Sequence, residues 1–185
     1  LKKRNVPPEE WPDLRIDERI AVEVDLVKSV DAIGATSNVI QETLRDDYRY
    51  EGPTPFLPPC IDPARYHPRQ VSPEDGIWRF LSDHCELSPA EVRKCRIVTE
   101  ISRTDRTKRK DVLIRAFAKT QQQIQDTLLV VSIDENRSGL AKELRSLIDV
   151  LGVRSHVAVV GTVWERLPHL YSVSHIYCTP SIMEG

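Results

Sequence analysis

The run "TLLVVSI", residues 127 to 133, constrains the fold more than any other stretch of the chain. An uninterrupted apolar segment of this kind fits a strand covered on both faces, which is the situation inside a parallel sheet. Its neighbours keep the same grammar. "RIVTEIS" (96–102), "HVAVVG" (156–161) and "HIYCTP" (175–180) read as further strands, the last stopping at Pro180. Between them lie helical patterns. "KRKDVLIRAFAKTQQQI" (108–124) is expected to face a core with Val112, Leu113, Ala116 and Phe117. "LAKELRSLIDVLG" (140–152) sets Leu140, Leu144, Leu147, Ile148 and Leu151 on one face, with Gly152 placed to end the helix. "VWERLPHLYSV" (163–173) reads as a helix despite Pro168. Strand and helix in strict alternation predict crossover units, and hence an α/β chain with a Rossmann-like parallel sheet and flanking helices.

Upstream the pattern changes. "DERIAVEVDLVKS" (17–29) puts Ile20, Val24 and Val27 on one helical face; "AIGAT" follows as an extended stretch. Ser37 or Asn38 then caps a second helix, "NVIQETLRDDY", with Val39, Thr43 and Leu44 on one side. Residues 51–76 carry seven of the thirteen prolines, and each removes a backbone donor and holds its predecessor extended. A domain boundary is expected there: 1–51 as one domain's tail, 52–76 as a proline-rich linker, 77–185 as a second domain. The second opens with "IWRFLSDHCEL" (77–87), a helix with Trp78, Leu81 and Cys85 on one face, and "SPAEVRKC", where Ser88 is an N-cap and Pro89 the first helical residue.

Composition decides which partners are worth considering. At 185 residues and 40% hydrophobic, the chain can bury one substantial core, or a small core plus part of another. A formal charge of −2 makes any basic cluster a local feature, not part of a basic coat. No apolar run approaches the roughly 20 residues that span a bilayer, and "LKKRNVPPEEWPDL" lacks the apolar segment of a signal peptide, so the expected location is the cytoplasm. Cys60, Cys85, Cys95 and Cys178 are scattered without a C-x-x-C and read as reduced thiols. "DHC" (83–85) with Cys95 and His67 has the residue types of a metal site, but such spacings arise by chance, and no metal is expected. His156, His169 and His175 sit in or beside apolar runs and read as structural.

One basic cluster stands out. "ISRTDRTKRKD" (101–111) packs five cations and two aspartates into nine positions between a strand and a helix. In an open parallel sheet, ligands sit at the carboxyl ends of the strands, where loops lead into helix N-termini. An anion in such a loop meets unpaired N–H groups and the positive end of a helix dipole, and Arg103 and Lys108 add full charges. Arginine grips phosphate oxygens through two parallel hydrogen bonds, and lysine supplies a mobile point charge, so the pair suits a diphosphate. A solvated loop with Asp105 pairing locally remains open. Nucleic acid fits less well, because the stretch has no aromatic stacking partner and the overall charge is negative. Neither G-x-G-x-x-G nor G-x-x-x-x-G-K-[ST] occurs.

The order of several short stretches resembles the retaining GT-B glycosyltransferases of family four, the glycosyl transferases group 1, which include the sucrose-phosphate synthases. The residues that carry the resemblance are R-x-D-x-x-K at Arg103, Asp105 and Lys108 followed by "VLIRAFA"; "VAVVGTV" with Gly161 and Val163; "LPHLY"; and "PSIMEG". "PPCID" with Asp62 is similar to the family's linker signature, with Cys60 where the family has glycine, and "SIDEN" stands where many members have a glycine-rich turn. What the resemblance implies is a partial GT-B fold: the tail of an N-terminal, acceptor-side domain, then most of the first half of a nucleotide-sugar-binding domain. Arg103 and Lys108 would hold the donor diphosphate and neutralise the leaving group. Glu184 would be the first glutamate of an E-x7-E motif and touch the donor sugar, and Gly161, Thr162 and Val163 would line the nucleobase pocket. Without the family, Glu184 is an ordinary helix-start carboxylate, and Trp164 reads as a core tryptophan more readily than as a stacking platform for the base.

The implied reaction is transfer of a hexose from a nucleotide-diphosphate sugar to a sugar or sugar-phosphate hydroxyl with retention of configuration. UDP-glucose is favoured as donor, with GDP-mannose the other candidate and no obligatory metal. A second glutamate would fall past Gly185 and most of the acceptor-side domain ahead of Leu1, so the expectation is an enzyme incomplete at both ends and inactive alone, its partners including the missing remainder. The competing expectation is a non-catalytic nucleotide-binding or interaction module with the same sheet. A related GT-B nucleotide-sugar epimerase ranks below both.

Overall fold

The apolar runs pair as a four-stranded sheet in the computed structural model, which describes residues 7–182 and, of Ser138, the backbone only. The strands are β1 (Arg96–Glu100), β2 (Thr127–Ser132), β3 (Val157–Val160) and β4 (Ile176–Tyr177). Every pairing is parallel, in the order β3-β2-β1-β4. All six residues of β2 are buried, as an apolar run inside a parallel sheet requires. Because side chains alternate across a strand, Leu128 and Val130 enter one core and Leu129 and Val131 the other.

Helices cover both faces. On the first lie α3 (Gly76–Ser82), α4 (Pro89–Val92) and α7 (Leu167–Val173), contributing Ile77, Leu81, Val92, Leu167, Leu170 and Val173. On the second lie α5 (Lys110–Gln123) and α6 (Ser138–Val150), contributing Leu113, Ile114, Phe117, Ala141, Leu144 and Ile148. The ends are chemically marked. Ser88 and Glu91 form a reciprocal capping box at α4 with Pro89 at the first position, and Gly152 takes φ +66° just past α6, where an L side chain would be strained. The result is a Rossmann-like α/β unit of three layers.

The chain divides into two compact units between Ile61 and Asp62, inside the proline-rich stretch. The first contains α1 (Ile16–Ser29) and α2 (Asn38–Asp46). Ile20, Val24 and Val27 are half-buried along α1, and Tyr48 Oη donates to Glu23 at 3.0 Å. Ser37 caps α2 by accepting from the Ile40 amide at 3.3 Å. The extended "AIGAT" pairs with the proline segment, through Ala35 N to Pro55 O at 2.9 Å and Leu57 N to Ala35 O at 2.8 Å. The stretch expected as linker is not all spacer: Tyr66 and Val71 pack against the first core of the second unit.

Four sequence expectations need correction. Val39 is 64% exposed, and Ile40 turns inward with Leu44 instead. The helix expected over 77–87 ends at Ser82, whose hydroxyl donates to Leu87 O at 2.7 Å and folds the chain back. The helix expected from Val163 begins at Leu167, because Pro168 belongs in a first turn, where no amide donor is needed. Trp164 therefore lies ahead of the helix and is 70% exposed, while Val163 takes the core position. Finally, α5 is rotated: Val112 and Ala116 face outward, and Leu113, Ile114, Phe117 and Ala118 are buried. Lys110 is the reason. It is buried too, so the covered stripe runs 110, 113, 114, 117, 118, a helical repeat whose first member is a cation that an apolar pattern skips.

That rotation makes a stability prediction. Ile114→Ala should lower the free energy of unfolding by about 2–5 kcal/mol, and Val112→Ala should stay within about 0.5 kcal/mol. Urea unfolding measures both; equal losses would mean the helix faces the other way.

Candidate functional site

The loops at the carboxyl ends of β1, β2 and β3 enclose a cavity of about 530 Å³, within the range of small-ligand sites. Ser102, Arg103, Thr104, Asp105 and Lys108 come from the first loop, Ser132, Asp134 and Arg137 from the second strand end and its loop, and Gly161 to Trp164 from the third. Leu167 and Tyr171 of α7 supply an apolar wall. Three cations, Arg103, Lys108 and Arg137, face two carboxylates, Asp105 and Asp134, so the lining is net positive. A Cβ added at Gly161 would meet nothing within 4 Å, so packing does not demand a glycine there and the backbone is open to a ligand.

Local chemistry shapes the first loop. Asp105 N-caps a single 3-10 turn, Arg106–Lys108, accepting from the Thr107 amide at 3.0 Å and from the Thr107 hydroxyl. These bonds, with the Thr107 hydroxyl foremost and the Arg103 charge adding, hold its carboxyl below the ordinary aspartate value although burial opposes them. Buried Thr104 accepts from the Asp134 amide at 2.8 Å, tying the first loop to the second. The Ser102 amide donates to Ser132 Oγ at 3.1 Å, a second tie.

The five cations of the basic stretch have separate fates. Arg103 Nε stands 3.7 Å from Asp105 at the cavity, so local pairing and cavity lining coexist. Lys108 lines the same cavity. Arg106 pairs with Glu143 at 3.0 Å and Arg109 with Asp111 at 3.5 Å, both beside a different groove between α5 and α6. Lys110 points into the protein, with Nζ 2.6 Å from Glu100; burial pushes its pKa below the ordinary lysine value, while the Glu100 charge opposes the shift. Of the residues expected at the site, Arg103, Lys108, Gly161, Thr162 and Val163 are brought together around one space. Glu184 lies outside the described residues. The described end of the "PSIMEG" segment reaches the same loop, through the Ile182 amide to Thr107 O at 3.0 Å.

Sequence reasoning missed Glu100, Ser132, Asp134, Arg137 and Tyr171. Glu100 carried a signal, as a carboxylate within the strand-like "RIVTEIS", and Ser132, Asp134 and Tyr171 lie in "SIDEN" and "LPHLY" without having been singled out there. Elsewhere, His84 Nδ1 lies 2.7 Å from Phe80 O and the Cys95 thiol contacts Glu91 O at 3.5 Å; among the described residues no three His, Cys, Asp or Glu side chains gather as a metal site. His175 Nδ1 accepts from the Ile97 amide at 3.1 Å, a structural role. Among the described residues no helix is long and apolar enough to cross a membrane.

The Asp105 cap carries a sign that can be tested. A carboxyl whose folded pKa is depressed stabilises the fold above its unfolded pKa and loses that contribution as pH falls through the folded value. Asp105 should titrate below the ordinary aspartate range in a carboxyl NMR titration, and Asp105→Asn should flatten the acid limb of the melting-temperature profile; an unshifted Asp105 would contradict the geometry.

Residues 88–185 match the family glycosyl transferases group 1. No curated protein sequence matches the chain. Among solved structures, it is similar to sucrose-phosphate synthase from Thermosynechococcus elongatus, at TM-score 0.70 and 21% identity over 91% of this chain and 39% of that one. A glycosyltransferase from Rickettsia africae follows at 0.69 and 18%, covering 96% and 43%. HepE from Anabaena, solved with UDP and glucose, follows at 0.66 and 21%, covering 87% and 41%. The likeness establishes the architecture, a partial GT-B fold, and the chain spans about two-fifths of the length of each of these structures.

Proposed function

The chain belongs to the glycosyl transferases group 1, and on that premise we propose that it is the donor-binding part of a retaining hexosyltransferase. The donor is a nucleotide-diphosphate sugar, UDP-glucose ahead of GDP-mannose, and the acceptor a hydroxyl of a sugar or sugar phosphate. In this reading, residues 1–51 form the tail of an acceptor-side domain, 52–76 lead out of it, and 77–185 begin the domain that holds the donor.

One observation carries the proposal. Arg103 and Lys108, five residues apart, line the same cavity as the open backbone at Gly161 to Val163. A diphosphate between the two cations directs its nucleoside toward the third loop and its sugar toward the "PSIMEG" segment, where Glu184 is the proposed sugar contact. As the glycosidic bond breaks, negative charge grows on the departing phosphate oxygen. A guanidinium and an ammonium already fixed there stabilise that charge without reorganising, and one such contact is typically worth ~3 kcal/mol in the barrier. For retention, the incoming hydroxyl approaches the face from which the phosphate leaves, and that phosphate can take its proton. Trp164, exposed at the cavity rim, offers a flat surface to the base.

Calorimetric titration tests the assignment. UDP should bind the intact chain, and Arg103→Ala or Lys108→Ala should weaken binding about 10- to 100-fold, as loss of a charged hydrogen bond does, with unchanged circular dichroism. Equal affinity in all three proteins would refute the site.

A further inference from the structure

Beneath the cavity lies an ion pair that the proposed reaction does not itself use. Glu100 is the last residue of β1 and Lys110 the first of α5, and both side chains are 1% exposed. The Lys110 ammonium spends its three donors on Glu100 Oε2 at 2.6 Å, Ser102 O at 3.0 Å and Ser132 Oγ at 3.0 Å. Ser132 Oγ donates to Ser102 O at 2.7 Å and accepts from the Ser102 amide at 3.1 Å, and the Ser102 hydroxyl donates to Glu100 Oε1. Both backbone groups of Ser102 and its side chain are thus held from below. The next residue is Arg103.

Stability does not account for this arrangement. A buried ion pair loses in desolvation much of what it gains in attraction, and well-packed apolar residues of similar size often serve the fold as well or better. A lysine at the first position of a helix also opposes the helix dipole. What the pair does supply is fixed geometry at Ser102, directly ahead of Arg103, whereas the other ties of the loop, the Asp105-capped turn and the Thr104 bond to the Asp134 amide, lie beyond Arg103. Local rules of this kind are broken chiefly at functional sites.

We propose that Glu100 and Lys110 are positioning residues: directly and through Ser132 they clamp Ser102, and so set where Arg103 presents its guanidinium to a diphosphate. The last step rests on the donor-site reading above; the clamp itself does not. In the unliganded wild-type chain, the Ser102 amide should exchange with deuterium as slowly as Val130 in the central strand, and much more slowly than Thr107 in the exposed turn. Ser102 exchanging as fast as Thr107 would overturn the clamp.

The double variant Glu100→Leu/Lys110→Met separates position from stability. It should melt at or above the wild-type temperature, yet exchange the Ser102 amide at least about tenfold faster and bind UDP about tenfold more weakly, the scale of one misdirected charged contact. Wild-type affinity with a fast Ser102 amide would sever the clamp from binding and overturn the proposal. If wild-type protein does not bind UDP, the donor-site reading falls, and the exchange measurement alone decides whether the pair holds the loop. If the double variant does not fold, the wild-type exchange comparison still decides the clamp, and the same titration on Glu100→Gln, which keeps the side-chain volume, decides the link to binding.

Discussion

Burial of β2 on both faces is the constraint from which the rest of the second unit follows. Six consecutive buried residues need apolar cover above and below, each large side chain contributing about 1.5–3 kcal/mol when taken fully out of water. Here helices on both sides provide it, and parallel crossovers are what deliver helices to both faces of a sheet. Parallel strands share a direction, so the loops after β1, β2 and β3 emerge at the same edge and meet there. The cavity is a geometric consequence of an apolar strand, lined by whatever residues those loops carry.

What the loops carry is then sorted by electrostatics. Five cations in nine positions cannot all face one ligand, and nearby carboxylates decide among them. Arg106 pairs with Glu143, Arg109 with Asp111 and Lys110 with Glu100, all turned away from the cavity, while Arg103, beside Asp105, and Lys108 line it. The exposed pairs contribute little to stability; their effect is directional, drawing surplus charge away so that the cavity is moderately positive. The buried pair costs desolvation and gains order at the base of the same loop.

The architecture was legible because it depends on periodicity. The β2 run, the α6 stripe, the Ser88 N-cap ahead of Pro89 and Gly152 are local patterns with one physical reading each, and the structure follows them. What escaped depends on contacts between distant residues. The rotation of α5 could not be read from apolar spacing, because its first buried member is Lys110, whose charge is met by Glu100 and whose other donors are taken by Ser102 O and Ser132 Oγ. Trp164 was misjudged by carrying a helix back past Pro168. Asp134 and Tyr171 lie in stretches noted for the resemblance, but neither they nor Arg137 carry a pattern that makes them wall residues; they belong to the cavity because two loops and a helix converge. Arg103 and Lys108 were singled out by their position at a strand-to-helix loop and by the R-x-D-x-x-K resemblance, whereas charge alone did not distinguish them from Arg106 and Arg109.

The central claim is that the three loops at the carboxyl edge form a single diphosphate-binding surface. Amide chemical-shift mapping with UDP tests it most directly. The account predicts saturable shifts at Ser102 to Lys108, at Asp134 and at Gly161 to Trp164, all with one dissociation constant, while Asp83 to Glu86, outside that cavity, stay still. Shifts confined to Arg106 and Arg109, or scattered without saturation over the surface, would contradict it.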